Sequence, residues 1–520
     1  MNFEIYRKDG EKPMMNTHNI NCESTTPYVT DWSCINWNKV EKYVSKLQRR
    51  IFRAEREGDS HKVRNLQRMF VYSDAVLLSA IRKVTQTNKG KRTPGIDGFR
   101  ALNDKERGEL FDSMKNMNIK KYKPKPVYRT YIPKKNGKMR SLGIPTIKDR
   151  VYQEILRMAL EPQAEAYFEP TSYGFRPRRS TFDAAERIFY NIKSGKWCWV
   201  FEGDFKACFD TISHDFILKQ IKGFPFYEDI KRFLEAGYVD NNIFNPTNKG
   251  TPQGGLLSPL LANIALHGME EYLNITYSKR TDIRNGKVYE SYETHGKYRM
   301  TRYADDFVIF AQNKEDIMKV QEILKPYLEE RGLILAWDKT RITHINDGFD
   351  FLGFEFKRHR TRNGYKSLVK PSKDSIKKFQ NEIDRRFKIM NGNNVDSLIE
   401  ILNPLIRGTA NYWRPFISSR IFNKMDNYIW KKTYKFLRRL HPHKGWNWIK
   451  KKYFPLYDDG RHRDKWILTG PHKGNYIAKM SWVKVKRHVM IKHDYSPYDV
   501  SKSEYFALRD NKYKQPLLLG

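Results

Sequence analysis

The stretch that most constrains this chain is YRMTRYADDFVIFAQN, residues 298–313, in which two adjacent acids interrupt a run of apolar and aromatic residues. The runs on either side of Asp305 and Asp306 predict the two strands of a β-hairpin, with the acids between them. Neighbouring carboxylates beside apolar strands repel each other and lose hydration, so they require a compensating cation. A hard divalent ion such as Mg²⁺, held by carboxylates and substrate phosphates, meets that need. An exposed turn is the alternative, because acids are also common in hairpin loops.

A two-metal site for nucleotidyl transfer needs a further carboxylate from elsewhere in the chain. The run WCWVFEGDFKACFDTI, Trp197 to Ile212, predicts a strand that leads into Asp204. Asp210 is the competing acid, and its position favours a local cap or turn. The sequence therefore predicts that Asp204 joins the acid pair.

The composition indicates a polyanionic partner. The chain has 520 residues, with 97 Lys and Arg against 59 Asp and Glu, a formal charge of +38 and 14% aromatic residues. This charge exceeds what solubility requires and favours nucleic acid as the partner. A solvated basic surface is the alternative. The length predicts several packed domains.

Cysteine usage and hydropathy limit the compartment and the metal chemistry. The four cysteines include no C-x-x-C pair, so we expect neither a disulfide framework nor a zinc site. The first residues, MNFEIYRKDGEKPMMN, lack the apolar core of a secretory signal, and no apolar run reaches membrane-spanning length. The sequence predicts a reducing interior and no membrane contact.

Two basic helical regions are candidates for nucleic-acid contact. Apolar residues at helical spacing predict three helices between Asn36 and Ile81, and a further one from Phe422 to Leu440. Their cations would bind phosphates, and an ordinary solvated face is the alternative. The candidates are Arg49, Arg50, Arg53, Lys431, Lys432, Lys435 and Arg438.

Two loops predict contacts with a nucleotide. KYKPKPVYRTYIPKKNGKMRSLGIP, residues 121–145, carries the signal of a β-hairpin, and Lys134 and Arg140 beside its turn suit a triphosphate. GTPQGGLLSPLLANIALHGMEEYL predicts a tight loop followed by a helix that begins near Ser258. Gln253 on that loop would contact a base or sugar edge.

The remaining pattern predicts further elements after the acid pair. We expect a helix from Lys314 to Arg331, strands within FDFLGFEF (residues 349–356), helices from Val395 onward and one strand from Val483 to Lys492. The phenylalanines of FDFLGFEF are expected to pack in a core.

Several of these motifs resemble a known family. GDFKACFD, GTPQGGLLSPLLANI and RYADDF, in this order, resemble reverse transcriptase motifs. NGKMRSLGIPTIKDR and SYGFRPRRSTFDA resemble those of the bacterial group II intron-encoded enzymes, often called maturases, and INWNKVEKYVSKLQRRIFRA is similar to their chloroplast-like lineage. The similarity runs from about residue 35 to about residue 500, and several long motifs in fixed order are far more specific than one short motif.

The resemblance implies an α+β right-hand polymerase with fingers, a palm with an antiparallel sheet and a helical thumb, which corresponds to the maturase domain. It also implies that Asp204, Asp305 and Asp306 hold two Mg²⁺ ions, with Mn²⁺ as a possible substitute. Lys339 would donate a proton to pyrophosphate, with an ion-paired lysine as the alternative. Phe209 would exclude a ribose 2′-hydroxyl and so select deoxynucleotides.

The resemblance also implies a division of the chain into regions. These are a poorly ordered lead-in (1–34), a basic helical N-terminal extension (35–87), fingers (88–195), palm (196–375), thumb (376–445) and a small C-terminal DNA-binding region with the remnant of an endonuclease linker (446–520).

The implied activity is that of an RNA-directed DNA polymerase of a group II intron. Its partners would be dNTPs, an RNA template with a DNA primer, intron RNA whose splicing it assists, and target DNA that it enters by target-primed reverse transcription. The compartment that the resemblance implies is the cytoplasm (bacterial, nucleoid-associated) or an organelle. Alternatives with the same fold are a splicing factor with an unused polymerase and a domesticated reverse transcriptase. Because no Cys or His follows His493, we expect no endonuclease activity; a chain cut before its nuclease is the alternative.

Overall fold

The structure is a computed structural model that describes residues 30–133, 137, 139–241, 243–251, 254–284, 287–336 and 338–513. Lys134, Gln253 and most of the lead-in predicted over 1–34 lie outside these ranges. The helices are α1 (Trp37–Arg56), α2 (Ser60–Val71), α3 (Asp74–Arg82), α4 (Asp104–Lys115), α5 (Ile147–Tyr167), α6 (Thr181–Lys193), α7 (Cys208–Thr211), α8 (His214–Gln220), α9 (Tyr227–Leu234), α10 (Ser258–Ala265), α11 (Met269–Tyr272), α12 (Lys314–Arg331), α13 (Lys373–Ile389), α14 (Val395–Trp413), α15 (Ser419–Leu440), α16 (Trp446–Tyr453) and α17 (Ser503–Tyr513). The strands are β1 (Val127–Pro133), β2 (Met139–Ile144), β3 (Trp199–Gly203), β4 (Tyr238–Asp240), β5 (Ile243–Asn245), β6 (Thr276–Arg284), β7 (Lys287–His295), β8 (Arg299–Tyr303), β9 (Asp306–Ala311), β10 (Arg341–His344), β11 (Phe349–Phe351), β12 (Phe354–Thr361), β13 (Gly364–Pro371), β14 (Tyr457–Asp458) and β15 (Arg463–Asp464).

The first three helices form the helical unit that the sequence predicts. The side chain of Asn36 accepts a hydrogen bond from the Lys39 N–H at 3.1 Å and so caps the start of α1. Gly58, in the left-handed region at φ 75°, ends this helix before α2 begins. The apolar side of α1 packs against α2, α3 and α5, which leaves its arginines on the outer side.

A small sheet with strand order β2-β1-β4-β5 contains the predicted basic hairpin. β1 and β2 are antiparallel, and Arg140 lies opposite Ile132. A Cβ atom placed on Gly254 would lie 2.4 Å from the Gly143 carbonyl oxygen. The loop after Gly250 therefore lies directly against β2, which places Arg140 next to the central sheet.

The central sheet is antiparallel, with strand order β10-β3-β9-β8. Its two middle strands are buried on both faces: Phe201 and Ile309 belong to one hydrophobic core, and Val200 and Phe310 belong to another. α12 packs against β3 and β9 and matches the predicted bounds, Lys314 to Arg331. Burial on both faces gives the acid-bearing ends of β3 and β9 a rigid support.

Beyond the central sheet, β11, β12 and β13 form a three-stranded sheet that is followed by α13, α14 and α15. The phenylalanines of FDFLGFEF are buried, as the sequence predicts. The helical region begins earlier than the predicted start at Val395, because α13 precedes it. Of the residues of α13, Phe379 and Ile383 are buried, so its apolar stripe was too narrow to recognise among the charges.

The strand predicted from Val483 to Lys492 is wrong. Its residues alternate between apolar and basic, but the structure shows no β-ladder there. Instead the Lys486 N–H donates to the Arg414 carbonyl at 3.0 Å, and the Ile491 N–H donates to the Asp183 carboxylate at 2.7 Å. Alternation alone does not make a strand when the backbone groups bond to side chains and loops rather than to a neighbouring strand.

Asp183 joins two distant parts of the chain. It closes a capping box with Ser180 at the start of α6 and is fully buried. Its carboxylate also accepts hydrogen bonds from His488 Nε2 at 2.9 Å and Arg509 Nη2 at 2.7 Å. Burial opposes ionisation of this carboxyl, but the contacts of His488 and Arg509 outweigh that effect and lower the pKa of Asp183. The segment around residues 488–509 is thereby fixed to α6.

The secondary structure confirms the predicted α+β class. Along the chain, helices precede the first sheet, lie between the strands of the sheets and follow β13. Among the described residues, none of the helices combines the length and the apolar character needed to cross a bilayer.

Candidate active site

Asp204 directly follows β3, at the end of the central sheet. The preceding residue, Gly203, pairs with Phe307 across β3 and β9, and a Cβ atom at position 203 would lie 2.1 Å from the Phe307 ring. A glycine is therefore required before the acid. The Ala336 N–H donates to the Asp204 carbonyl at 2.8 Å and fixes the backbone as it leaves the strand.

Asp305 lies in the turn between β8 and β9, and Asp306 is the first residue of β9, so the hairpin that the sequence predicts around the acids is present. Tyr303 pairs with Asp306 at the end of the hairpin. Ala304 lies in the left-handed region at φ 57°, an unfavourable conformation for a residue with a side chain. This tight turn brings both acids to the end of the sheet at which Asp204 lies.

The three carboxylates lie within electrostatic reach of one another. Partial loss of hydration raises the pKa of Asp305, and the charge of Asp204 adds to the rise. The same loss of hydration raises the pKa of Asp306 to about 6, with contributions from the charges of Asp305 and Asp204. The site therefore concentrates negative charge that its protein surroundings do not fully compensate.

Two of the predicted cations lie beside these acids. The positive charge of Arg140, on β2, opposes the rise in the pKa of Asp305. The Lys339 ammonium donates a hydrogen bond to Asp204 Oδ2, and this contact raises the pKa of Lys339. The structure thus brings Arg140 and Lys339 to the acids and shows Lys339 as an ion-paired lysine, one of the two interpretations that the sequence allowed.

The donor chemistry of this site suits a hard divalent ion. Across the described ranges, no group of three or more His, Cys, Asp and Glu side chains is arranged to hold a metal. The Asp204 carboxylate is instead engaged by Lys339. However, carboxylates such as Asp305 and Asp306, whose pKa is raised by lost hydration and by neighbouring negative charge, are ligands that such a cation stabilises. The residues fit a divalent ion that would replace Lys339 as the partner of Asp204.

Phe209 lies in the short helix α7, immediately after Cys208, which is within electrostatic reach of the acids. The charges of Asp305 and Asp204 add to the effect of burial in raising the pKa of Cys208, which places α7 beside the acids. The Phe209 ring is 6.4 Å from the Phe175 ring, and its carbonyl accepts the Thr251 N–H at 2.5 Å. Phe209 is half-buried, so packing and contact with a nucleotide are both open to it.

The sequence reasoning missed a buried arginine behind the turn. Arg302 is 1% exposed, and its Nη1 donates to Asn263 Oδ1 at 3.1 Å and to the Ala304 carbonyl at 3.3 Å. Its Nη2 lies 3.5 Å from Glu169 Oε2. The available signal was an arginine within a strand predicted to lead into the acid pair. Since arginine is almost never fully buried unless it is paired, its position could have indicated a buried partner.

The predicted nucleic-acid contacts fall on two separate surfaces. Arg49, Arg50 and Arg53 line a basic groove of about 590 Å³ along α1. On α15, Lys432 is instead 2.7 Å from the Asp384 carboxylate, so part of its charge is used within the protein. The exposed cations of this helix include Lys431, Lys435 and Arg438.

Comparisons with known proteins agree with this geometry. Residues 132–356 match the family "Reverse transcriptase (RNA-dependent DNA polymerase)", residues 32–114 match "N-terminal domain of reverse transcriptase" and residues 376–454 match "Group II intron, maturase-specific domain". Protein YkfC of Escherichia coli (strain K12) is 34% identical over 350 residues, which are 63% of this chain and 91% of the relative. Group II intron-encoded protein LtrA of Lactococcus lactis subsp. cremoris is 32% identical over 440 residues, 69% of this chain and 72% of the relative. Maturase-like protein 1 of Euglena gracilis is 28% identical over 383 residues, 72% of this chain and 76% of the relative.

These matches explain why the acids, the basic hairpin and the following helices occur together. The reverse transcriptase match begins at the end of β1 and includes β2, both acid motifs and the central sheet, and the maturase match begins within α13. The predicted right-hand polymerase fold is confirmed, and the activity of this family depends on divalent metal ions. The chain belongs to the group II intron-encoded reverse transcriptases, RNA-directed DNA polymerases that carry a maturase domain.

Proposed function

We propose that Asp204, Asp305 and Asp306 hold two Mg²⁺ ions and that the chain extends a DNA primer on an RNA template. The observation that carries this assignment is the pairing of Gly203 with Phe307 and of Tyr303 with Asp306, which brings all three acids to the same end of one sheet. Bound there, the ions would activate the primer 3′-hydroxyl and neutralise charge on the triphosphate. Mn²⁺ is a possible substitute, since it accepts the same oxygen ligands.

The residues around the acids have separable roles. Arg140 binds the triphosphate of the incoming dNTP, because its charge already reaches Asp305 from the hairpin. Phe209 contacts the sugar, and Lys339 leaves Asp204 to donate a proton to the pyrophosphate. Lys134 and Gln253 are assigned to the triphosphate and to a base or sugar edge, on their motif positions alone.

The basic surfaces are assigned to group II intron RNA. Arg49, Arg50 and Arg53 form one contact along α1, and Lys431, Lys435 and Arg438 form another on α15, where the maturase-specific match lies. Binding there would stabilise the folded intron for splicing without further chemistry. The region after residue 446 would contact target DNA, which the enzyme enters by target-primed reverse transcription.

We assign the parts of the right hand as the motifs imply: N-terminal extension 35–87, fingers 88–195, palm 196–375, thumb 376–445 and a DNA-binding region 446–520. The compartment consistent with these partners is the bacterial cytoplasm, near the nucleoid, or an organelle.

Alanine substitution of each acid tests the assignment. Asp204→Ala and Asp305→Ala should lower the rate of primer extension on RNA by about 10³-fold or more, because each withdraws several kcal/mol of transition-state stabilisation. Asp210→Ala is the matched control: it is an exposed acid six residues after Asp204, and it should retain activity. RNA affinity should change less than about twofold in all three variants, since phosphate contacts dominate it.

The same experiment separates the polymerase from a splicing factor with an unused polymerase site. A wild-type protein that binds intron RNA but extends no primer with Mg²⁺ or Mn²⁺ would support the splicing factor. Near wild-type extension by Asp305→Ala would show that the acids were assigned wrongly.

A further inference from the structure

Arg302 holds the turn that carries two of the acids. Its guanidinium is buried, and it donates to the carbonyl of Ala304, the residue immediately before Asp305, at 3.3 Å. Its charge is compensated by Glu169, 3.5 Å away. Glu169 is itself fixed, because its other oxygen accepts the backbone N–H groups of Gly268 and Glu270 at 3.0 and 2.8 Å. The anchor of the turn is therefore a rigid buried ion pair.

The turn needs such an anchor. Ala304 adopts φ 57°, a conformation that an alanine does not prefer and that the surrounding structure must impose. From the other side, Gly174 approaches so closely that a Cβ atom on it would lie 2.3 Å from the Ala304 nitrogen. The Tyr173 N–H donates to the Arg302 carbonyl at 2.9 Å, which fixes this neighbouring segment to β8.

Asn263 links Arg302 to the segment that carries Gly174. It lies on α10, which follows the glycine-rich loop, and it is 2% exposed. Its Oδ1 accepts from Arg302 Nη1 at 3.1 Å, and its Nδ2 donates to the Gly174 carbonyl at 2.8 Å. One side chain therefore binds both segments that confine Ala304.

We propose that Arg302 and Asn263 are positioning residues for the reaction: together they fix the turn so that Asp305 and Asp306 lie at a set distance from Asp204. The proposal rests on the assignment of these acids to the metal ions. Without these two residues the strained turn would be free to relax, and its carboxylates would bind the ions less well. A metal site loses affinity when the groups that orient its ligands are removed.

A purely structural ion pair would behave differently. A buried arginine of α4, Arg107, provides the comparison: it is 6% exposed, its Nη1 lies 2.5 Å from Asp104 Oδ1, and its Nη2 donates to the Leu102 carbonyl at 2.6 Å. Arg107 therefore forms an ion pair that holds the start of α4. None of its hydrogen bonds within the described part of the chain reaches residues 304–306.

The test measures the Mg²⁺ midpoint in two ways: by calorimetric titration of the protein without nucleic acid, and by primer extension at saturating RNA–DNA duplex and dNTP. In Arg302→Lys a positive charge is kept near Glu169, but one ammonium nitrogen cannot occupy both the Nη2 position beside Glu169 and the Nη1 position that reaches Asn263 and Ala304. We expect the half-saturating Mg²⁺ concentration to rise about fivefold or more and kcat to fall about tenfold or more. The KM for dNTP should change less than about twofold. Arg107→Lys should lower the melting temperature and leave the Mg²⁺ midpoint unchanged.

Asn263→Asp gives a second, independent measurement. Aspartate keeps an acceptor for Arg302 but removes the donor to the Gly174 carbonyl, and it should also shift the Mg²⁺ midpoint upward. The double variant should shift it by less than the product of the two single effects, because both substitutions disrupt one network.

Unchanged Mg²⁺ midpoints in Arg302→Lys and Asn263→Asp, with activity that falls only in proportion to the folded fraction, would overturn the proposal. If Arg302→Lys does not fold, Asn263→Asp alone decides by the same criterion. Failure of the proposed function gives a different result, since the wild-type protein would then extend no primer or Asp305→Ala would remain active.

Discussion

The ammonium of Lys339 donates a hydrogen bond to the carboxylate of Asp204, at the end of the strand that leads into the site. Lys339 is 60% exposed, so it is free to move away when a stronger cation arrives. Because the lysine and a metal ion compete for one carboxylate, Lys339→Met should bind Mg²⁺ about two- to fivefold more tightly in the absence of nucleic acid, the range expected for a surface ion pair. Calorimetric titration with Mg²⁺ measures this affinity. The same variant should extend primers more slowly if Lys339 donates a proton. An unchanged Mg²⁺ affinity would contradict the competition.

Gly203 should tolerate no side chain, because a Cβ atom there would lie 2.1 Å from the Phe307 ring. Gly203→Ala should destabilise the protein by about 1–3 kcal/mol, as overpacking of a core does. Adding Phe307→Leu, which removes the ring, should recover part of that loss. Urea unfolding of the two single variants and the double variant measures the coupling. If the losses of unfolding free energy in the two single variants simply add in the double variant, the Phe307 ring is not what excludes a side chain at position 203.

Phe209 should influence the choice between deoxyribonucleotides and ribonucleotides. Phe209→Ala should raise the kcat/KM for ribonucleotides relative to deoxyribonucleotides about tenfold or more, because a pocket loses steric exclusion when a ring is removed. Phe175→Leu is the matched control, since this ring lies 6.4 Å from Phe209 and shares its packing. A selectivity that is unchanged in Phe209→Ala, or changed equally in both variants, would leave Phe209 as a packing residue.

Glu270 should make stability depend on pH. Burial, together with the charge of Glu169, raises the pKa of Glu270 to about 8 from an ordinary value of 4.5. Between these pH values the folded protein holds a proton that the unfolded chain has released, so the free energy of unfolding falls as pH rises through this window and levels off above it. Glu270→Gln keeps an oxygen acceptor for Thr171 and removes the titration. Between pH 5.5 and 7.5 the free energy of unfolding should fall by up to about 3 kcal/mol less in the variant than in the wild type. Parallel unfolding profiles would contradict this assignment.

The two basic surfaces should bind RNA through its phosphates. Replacing Arg49, Arg50 and Arg53 with Gln should weaken binding of structured RNA and lower the slope of log K against log salt by roughly one for each phosphate that is no longer neutralised. The triple variant of Lys431, Lys435 and Arg438 should behave alike. Lys432→Gln is the control, because this lysine is paired with Asp384 and should change the slope less than its neighbours do. Equal slopes in wild type and both triple variants would show that these cations are only solvated.

Elements with strong local signals were predicted from the sequence almost to the residue. The hairpin around Asp305 and Asp306 and the helix from Lys314 to Arg331 combine clear periodicity with recognisable ends, and the structure has both. Asp204 was placed correctly at the end of its strand, because the apolar run before it is short and unambiguous.

Contacts between distant segments could not be predicted in this way. The bonds of Arg302 to Asn263 and Glu169 join residues that are 39 and 133 positions apart along the chain, and no periodic pattern encodes them. The predicted strand from Val483 to Lys492 failed for the same reason, since its alternation was genuine but no partner strand lies beside it. Periodicity describes which face of an element is apolar, whereas pairing depends on the tertiary fold.

The buried carboxylate of Asp183 imposes an order on the maturation of this enzyme during its synthesis. It receives hydrogen bonds from Ile491 and Arg509, which follow it by 308 and 326 positions. Chains emerge from the ribosome with the N-terminal part first, and contacts across such separations form late. Until the last of these residues has left the ribosome, α6 begins with a carboxylate that lacks the partners it has in the native fold. The segment around residues 488–509 therefore docks on α6 only after nearly the whole chain has been synthesised.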